Sequence, residues 1–184
     1  MVDEEILELR RKLNESITKE KDYTYIYTIS LELDELIARY YNKEIKRRIE
    51  NCDVLIHLGD NVDDAEELAK DFDGNVYIVA GNCDFTRKYP KEQIINLAGK
   101  TIYITHGDLY SVKYGMSNIF YKGKEVNADI VLFGHTHEQV VFEEEGITFM
   151  NPGSPSLPRV SRRGMGYIYL EEGKTPDIYT IEID

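Results

Sequence analysis

Four histidines occur in 184 residues, and two of them share the stretch His135-Thr136-His137. Around them, residues able to hold a metal recur at one kind of place, directly after an apolar run. Asp60 follows Val54-Leu55-Ile56-His57-Leu58-Gly59, and Asn82 follows Val76-Tyr77-Ile78-Val79-Ala80-Gly81. His106 follows Ile102-Tyr103-Ile104-Thr105, while His135 and His137 follow Ile130-Val131-Leu132-Phe133-Gly134. A carboxylate, an amide oxygen and three imidazoles form a mixed nitrogen and oxygen donor set. Such a set suits Mn, Fe, Ni, Co or Zn better than Mg or Ca. Taken singly, a Gly-Asp or Gly-Asn after a strand is usually a turn. Taken together and in order, the five residues point to one site.

Strands must carry these residues, and the sequence supplies them. Segments 53–58 and 76–80 are short and apolar, with a helix expected between them over about 63–71. Segments 94–97 and 101–105 flank Ala98-Gly99-Lys100 as a hairpin. A helix expected over 113–127, weakened by Gly115 and Gly123, leads to a strand at 130–133. Segments 140–142, 147–150, 167–170 and 178–183 read as antiparallel strands. At the front, Ile6, Leu9, Leu13 and Ile17 mark one face of a helix over about 3–20. Residues 23–30, β-branched and aromatic, read as a strand. Asp34 then caps a helix to about residue 50, with Leu36, Ile37, Tyr40, Tyr41, Ile45 and Ile49 as its apolar set. An alternating front and a strand-rich tail predict an α/β protein of two packed sheets with helices outside. In such folds the carboxyl ends of strands line the ligand crevice.

Acidic residues outnumber basic ones by 34 to 22, for a formal charge of −12. Nucleic acid and anionic membrane surfaces reward Lys and Arg, so neither is expected as a partner. A small phosphorylated substrate stays compatible, because a bound metal reverses the local field. No apolar run is long enough to span a membrane, and the acidic start Met-Val-Asp-Glu-Glu lacks a signal-peptide core, so a cytoplasmic address is expected. Cys52 and Cys83 are expected to be reduced thiols.

Gly59-Asp60, Gly81-Asn82-Cys83-Asp84, Thr105-His106-Gly107, Gly134-His135-Thr136-His137 and Asn151-Pro152-Gly153-Ser154 resemble the motifs of the calcineurin-like metallophosphoesterases. Gly-Asn-Cys-Asp, and Asn-Pro-Gly-Ser followed by Leu157-Pro158-Arg159, are similar to the small prokaryotic YfcE-type phosphodiesterases. The likeness runs over about residues 23–184 and implies a four-layer α/β/β/α sandwich as a single domain there, preceded by a helical extension at 1–22. It implies a hydrolase that attacks small phosphodiesters with a metal-activated hydroxide. By position it makes Asp60 the carboxylate bridging two metals, and it counts Asp60, Asn82 and His106 as catalytic. Asn82, His106 and His135 would complete the second metal site, and His137 would join the first. Arg159 and Cys83 are weaker candidates for substrate contact, and Asp84 and Asp108 for supporting the ligands from behind. His57 is expected to be a packed histidine inside its strand. The implied cofactor is one or two divalent transition-metal ions, Mn²⁺ first, with Ni²⁺, Fe²⁺, Co²⁺ or Zn²⁺ as alternatives.

One motif departs from the resemblance. The family's first motif, Asp-x-His, closes its first strand, and the corresponding place here reads Ile29-Ser30-Leu31-Glu32-Leu33-Asp34. Leu31 and Leu33 cannot bind a metal, so the first site would keep only Asp60 and His137 while the second keeps all four ligands. The expectation is a phosphodiesterase with an impaired first site. The alternative is a weak or inactive scaffold of the same fold that binds a protein partner. Cys83 stands where larger relatives carry a histidine as general acid, which favours esters with good leaving groups. Residues 1–22 have no counterpart in the family and read as a packing helix, with a dimerising or partner-binding helix as the other reading.

Overall fold

In the computed structural model, the described residues are 2–19, 22–160 and 162–183. The apolar spacing at the front does form a helix, α1, over Val2–Thr18. The end expected for it at residue 20 lies outside the described residues. The strand expected at 23–30 is absent. A single helix, α2, runs Tyr23–Ile49, with the Asp22 carboxylate accepting the backbone N–H of Thr24 at 3.0 Å as its N-cap. Residue 34 is therefore interior to α2 and does not begin a helix; its side chain lies outside the described residues.

The reason for this correction is the period of the apolar residues. Ile26, Ile29, Leu33, Leu36 and Tyr40 recur at intervals of three and four. Ile29 and Leu33 are buried, while Tyr23, Tyr25, Tyr27 and Leu31 are exposed. That is one stripe of a helix packing on α1, not the alternation of a strand. The β preference of Tyr, Thr and Ile is context-dependent and yields to this packing. Leu31-Glu32-Leu33 thus sits in mid-helix rather than at a strand end.

Residues 1–51 and 52–184 form two separate compact units. The second unit begins with β1 (Val54–His57), α3 (Val62–Ala69) and β2 (Asn75–Ile78), the two strands parallel. Next come β3 (Glu92–Leu97) and β4 (Lys100–Thr105), a hairpin closed by Ala98 and Gly99, both at positive φ. A short 3-10 turn (Asp108–Tyr110) precedes α4 (Ser117–Glu125), which is shorter than the expected 113–127. Gly115, at φ 156°, holds the chain out of helical conformation just before it. The chain ends with β5 (Ile130–Leu132), β6 (Gln139–Glu144), β7 (Ile147–Pro152), β8 (Gly164–Tyr169) and β9 (Asp177–Glu182).

The central sheet has the order β3-β4-β5-β7-β6, with β4, β5 and β7 parallel. Period two sorts its residues onto two faces. Tyr103, Val131 and Phe149 pack on Ile119 and Phe120 of α4. Ile102, Ile104, Ile130, Leu132 and Met150 pack on Ile56, Leu58 and Tyr77 from one side and on Ile168, Leu170 and Ile178 from the other. The sheets β1-β2 and β8-β9 therefore share one face of the central sheet. On the far side of β1-β2, Val62 and Ala65 of α3 cover Val76 and Ile78. The layers run α4, five-stranded sheet, paired small sheets, α3, which is the α/β/β/α sandwich the motifs implied.

Candidate metal centre

Each candidate ligand sits just past a strand. Gly59 and Asp60 follow β1, and Asp60 and Asn61 both adopt left-handed backbone. His135 and His137, beyond β5, are left-handed as well. Such conformations cost non-glycine residues about 1 kcal/mol or more each, and they persist where surrounding structure enforces them. Here the enforcing contacts are visible. One oxygen of Asp84 accepts the N–H of Asp60 at 2.8 Å and that of Gly81 at 2.7 Å, and the other accepts the N–H of Val62 at 3.1 Å. Asp60 in turn accepts the N–H of Cys83 at 2.9 Å through Oδ1. A Cβ at Gly81 would run into the Asp60 carboxylate, so the close approach of these two turns requires glycine there.

Four donor groups meet at one atom. The buried His106 donates from Nδ1 to the Leu58 carbonyl at 2.7 Å, which fixes its ring and aims Nε2 at the others. Around Nε2 lie His135 Nδ1 at 3.0 Å, Asn82 Oδ1 at 3.2 Å and Asp60 Oδ2 at 3.4 Å. Donors bound to a common ion at about 2.1 Å stand about 3.0 Å apart at right angles and about 3.4 Å at the tetrahedral angle. The donor types and their spacing about His106 therefore suit a divalent transition metal. The contacts are pairwise and centred on a ring nitrogen. Among the described residues, no group of three or more His, Cys, Asp and Glu side chains makes a ready cage.

His135 is held below the ordinary histidine pKa, first by burial and then by the nearby charge of Lys113. A neutral ring is the form that binds a metal. The Cys83 thiol is exposed and pushed up, chiefly by the Asp60 carboxylate, so it stays protonated rather than serving as a thiolate nucleophile. His57 accepts the Gly59 N–H at 3.3 Å through Nδ1, and burial lowers its pKa to about 4. It is packed and neutral, with its ring turned to its own chain.

His137 is oriented separately, its Nδ1 donating to the Leu157 carbonyl at 2.7 Å. Leu157 is itself tied by its N–H to Ser154 Oγ. Arg159 lies exposed in the same segment between β7 and β8. Asp108, two residues past His106, has a buried Oδ1 without a hydrogen-bond partner, and its charge acts on His135. Sequence reasoning gave no role to Asn151, although it lies within a quoted motif. Fully buried, it donates through Nδ2 to the Gly134 carbonyl at 2.8 Å and to Thr136 Oγ1 at 2.9 Å, and its Oδ1 accepts the Gly153 N–H at 3.0 Å. This clamp shapes the loop that carries His135 and His137. The Leu58 carbonyl was equally invisible, since nothing in a residue's type marks its backbone as a partner.

Residues 38–174 match the model of the calcineurin-like phosphoesterase superfamily domain. Residues 3–42 match a different one, that of Spo0E-like sporulation regulatory proteins. The phosphoesterase match thus starts inside α2, beyond residues 31–33, where an Asp-x-His counterpart was expected. The chain is 34% identical over 117 residues to the probable metallophosphoesterase YsnB of Bacillus subtilis, covering 64% of this chain and 68% of that one. Among solved structures, a predicted phosphoesterase of Streptococcus pneumoniae superposes with a TM-score of 0.58 at 24% identity, over 78% of this chain and 91% of the other. Vps29 of Entamoeba histolytica, complexed with Zn²⁺, superposes with a TM-score of 0.61 at 14% identity, over 76% and 88%. At such identities the two structures speak to the fold alone.

Proposed function

Because the chain belongs to the calcineurin-like phosphoesterase superfamily, we propose that it is a metal-dependent phosphodiesterase acting on small phosphodiesters. The family implies a divalent metal; its identity is a proposal, with Mn²⁺ first. The observation that carries the reading is the convergence of Asp60, Asn82 and His135 on His106 Nε2. These four residues would hold one ion, and His137 would serve the other metal site that the resemblance implies. Such an ion supplies Lewis acidity and a water acidic enough to attack phosphorus near neutral pH.

The chain's own residues do the rest. Leu58 keeps a proton on His106 Nδ1, so Nε2 presents a lone pair to the site. Asp84 holds the Asp60 turn against the Asn82 turn, and Asn151 holds the turn of His135. Cys83 is a weaker acid than the histidine found in larger relatives, which favours substrates whose leaving group departs unaided. Arg159 and Asp108 are assigned no step.

A second reading has its own observation. Residues 31–33 are helical, and Leu31 and Leu33 carry no donor atom, so the Asp-x-His pair that would complete a two-metal centre is missing from this segment. A scaffold that binds a protein partner is compatible with this. The helical pair α1-α2, with exposed Tyr23, Tyr25 and Tyr27, is the proposed partner-binding element, a wider segment than residues 1–22. Hydrolysis of bis(p-nitrophenyl) phosphate with added Mn²⁺, alongside metal content, separates the two. Turnover that disappears in His106→Ala supports the enzyme. A natural chain that binds no metal and turns over no ester overturns it in favour of the scaffold.

A further inference from the structure

The unit 52–184 sets five strands against four. Gln93 of β3 donates through Nε2 to the Ile78 carbonyl of β2 at 2.7 Å, so β2 lies over β3. The Leu58 carbonyl, just past β1, meets the ring of His106, just past β4, so β1 lies over β4. On the other side, a Cβ at Gly166 of β8 would come within 2.7 Å of Met150 of β7. Gln139 of β6 donates through Nε2 to the Ile181 carbonyl of β9 at 2.9 Å. β8 and β9 therefore lie over β7 and β6. The middle strand of the five is β5, and among the described residues no strand faces it. β1 and β8 flank that position without pairing to each other.

Both flanks turn backbone groups into this gap. The carbonyls of Asp53 and His57 accept the N–H groups of Asn75 and Val79 at 2.9 and 3.1 Å, so alternate residues from Asp53 onward face β2. Val54 and Ile56, between them, turn their N–H and C=O groups the other way. In β8 the Arg163 carbonyl accepts the Ile183 N–H at 2.8 Å, and the same alternation sends the backbone groups of Gly166 and Ile168 away from β9. Among the described residues, none of these four has a backbone partner on that side. Ile130 and Leu132 of β5 are buried, in a cluster that Ile56, Leu58 and Ile168 pack against while staying partly exposed themselves. In a strand layer closed on both sides such residues are lost to the core.

We propose that the gap between β1 and β8 is a strand-acceptor site, filled by an extended segment of a partner polypeptide that has β-forming residues and basic flanks. An unpaired edge is a template for another strand. With an open edge on each side, this gap admits a single detached strand, not the border of a folded sheet. The chain has no such strand to spare. Residues 23–30 carry β-forming types but belong to α2, held by its Asp22 cap, and the loops of the described residues hold no β-forming run as long as β1. The occupant matches the four residues of β1 or the six of β8, with apolar side chains toward Ile130 and Leu132. Residues 52–184 carry 22 acidic and 12 basic side chains, which favours lysine or arginine beside the strand. One end of the gap opens between Asp60, beyond β1, and His135, beyond β5, so the occupant ends at the metal centre. The site stands whether or not the chain hydrolyses phosphodiesters.

The probe is a fluorescein-labelled peptide, Lys-Lys-Thr-Val-Thr-Val-Thr-Val-Lys-Lys, titrated into the full natural chain and followed by anisotropy, with hydrogen exchange to locate it. Saturable binding is expected, with amide exchange slowed about tenfold at Val54, Ile56, Gly166 and Ile168. The same peptide with its central valine replaced by proline keeps its charge but loses a ladder donor, and should bind about tenfold more weakly. In the protein, Ile56→Pro removes an N–H that faces the gap and not β2, so the β1-β2 ladder stays and peptide affinity should fall by as much. Ile168→Pro makes the same test from β8 and decides the matter if Ile56→Pro does not fold. A natural chain that binds no peptide overturns the proposal. Equal affinity for the proline peptide overturns it too, since charge alone would then explain binding. So does protection confined to the outer edges of β2 or β9, or protection of Val54 and Ile56 without peptide that equals that of Leu55 and His57.

Discussion

Asp84 holds Asp60 in place through the backbone, one carboxylate oxygen accepting the N–H of Asp60 at 2.8 Å and that of Gly81 at 2.7 Å. Two turns from two parallel strands are thereby locked to one side chain. The lock is what brings the Asp60 carboxylate and the Asn82 amide to the same ring nitrogen of His106.

Removing that lock should disturb both stability and metal binding. Asp84→Ala leaves three N–H groups without their acceptor, at a cost of about 2–4 kcal/mol in urea unfolding. Mn²⁺ affinity should fall about 10- to 100-fold, the usual loss when a group that orients ligands is removed. Asp84→Asn keeps one acceptor oxygen and should lie between. A metal affinity untouched by Asp84→Ala would show that Asp60 is not a ligand.

Asn151 makes the same argument on the other side of the site. Its amide joins the Gly134 carbonyl, Thr136 Oγ1 and the Gly153 N–H, all within 3.0 Å. Asn151→Ala should destabilise the protein by about 2 kcal/mol, since a buried donor and acceptor lose their partners. The loop of His135 should loosen, seen as faster amide hydrogen exchange at 134–137 while exchange in β4 stays unchanged.

Much of this was legible in the sequence for a definite reason. Asp60, Asn82, His106 and His135 each follow a mainly apolar run, and the strand-end rule places such residues in a common crevice. The layers followed from apolar runs whose period of two sorts them onto two faces. The front of the chain misled because residue preference and period disagreed there. Tyr23 to Ser30 carry β-forming types, yet Ile26, Ile29, Leu33, Leu36 and Tyr40 keep helical intervals, and the period won. Asn151 and the Leu58 carbonyl were not legible in their roles. Their roles depend on which chain segments meet, which no local pattern encodes.

Leu33 tests the corrected reading of the front. Its side chain is buried within the helical unit, so Leu33→Asp should cost that unit about 3 kcal/mol or more, read as lost helical circular dichroism on heating. Leu31→Asp, at an exposed position, should be tolerated. The double change Leu31→Asp/Leu33→His should leave metal content where it was, because residues two apart in a helix point to different faces, here one exposed and one buried, and cannot ligate one ion together. A rise in bound metal would show that this segment can reach the site.

His57 sets a pH dependence with a definite sign. Its pKa falls from 6.5 in the unfolded chain to about 4 in the folded one, chiefly through burial. Between those values the unfolded chain binds the proton and the folded chain does not, so stability rises with pH. Above the unfolded pKa the group is neutral in both states and exacts nothing. As pH falls from 7 to 5, it should remove about 2 kcal/mol of stability, approaching about 3 kcal/mol below the folded pKa. His57→Phe has no ring to protonate and should lose that part of the slope, whatever its stability at pH 7. Urea midpoints of the natural chain and the variant at pH 7, 6 and 5 check this. Parallel slopes would place the titrating group elsewhere.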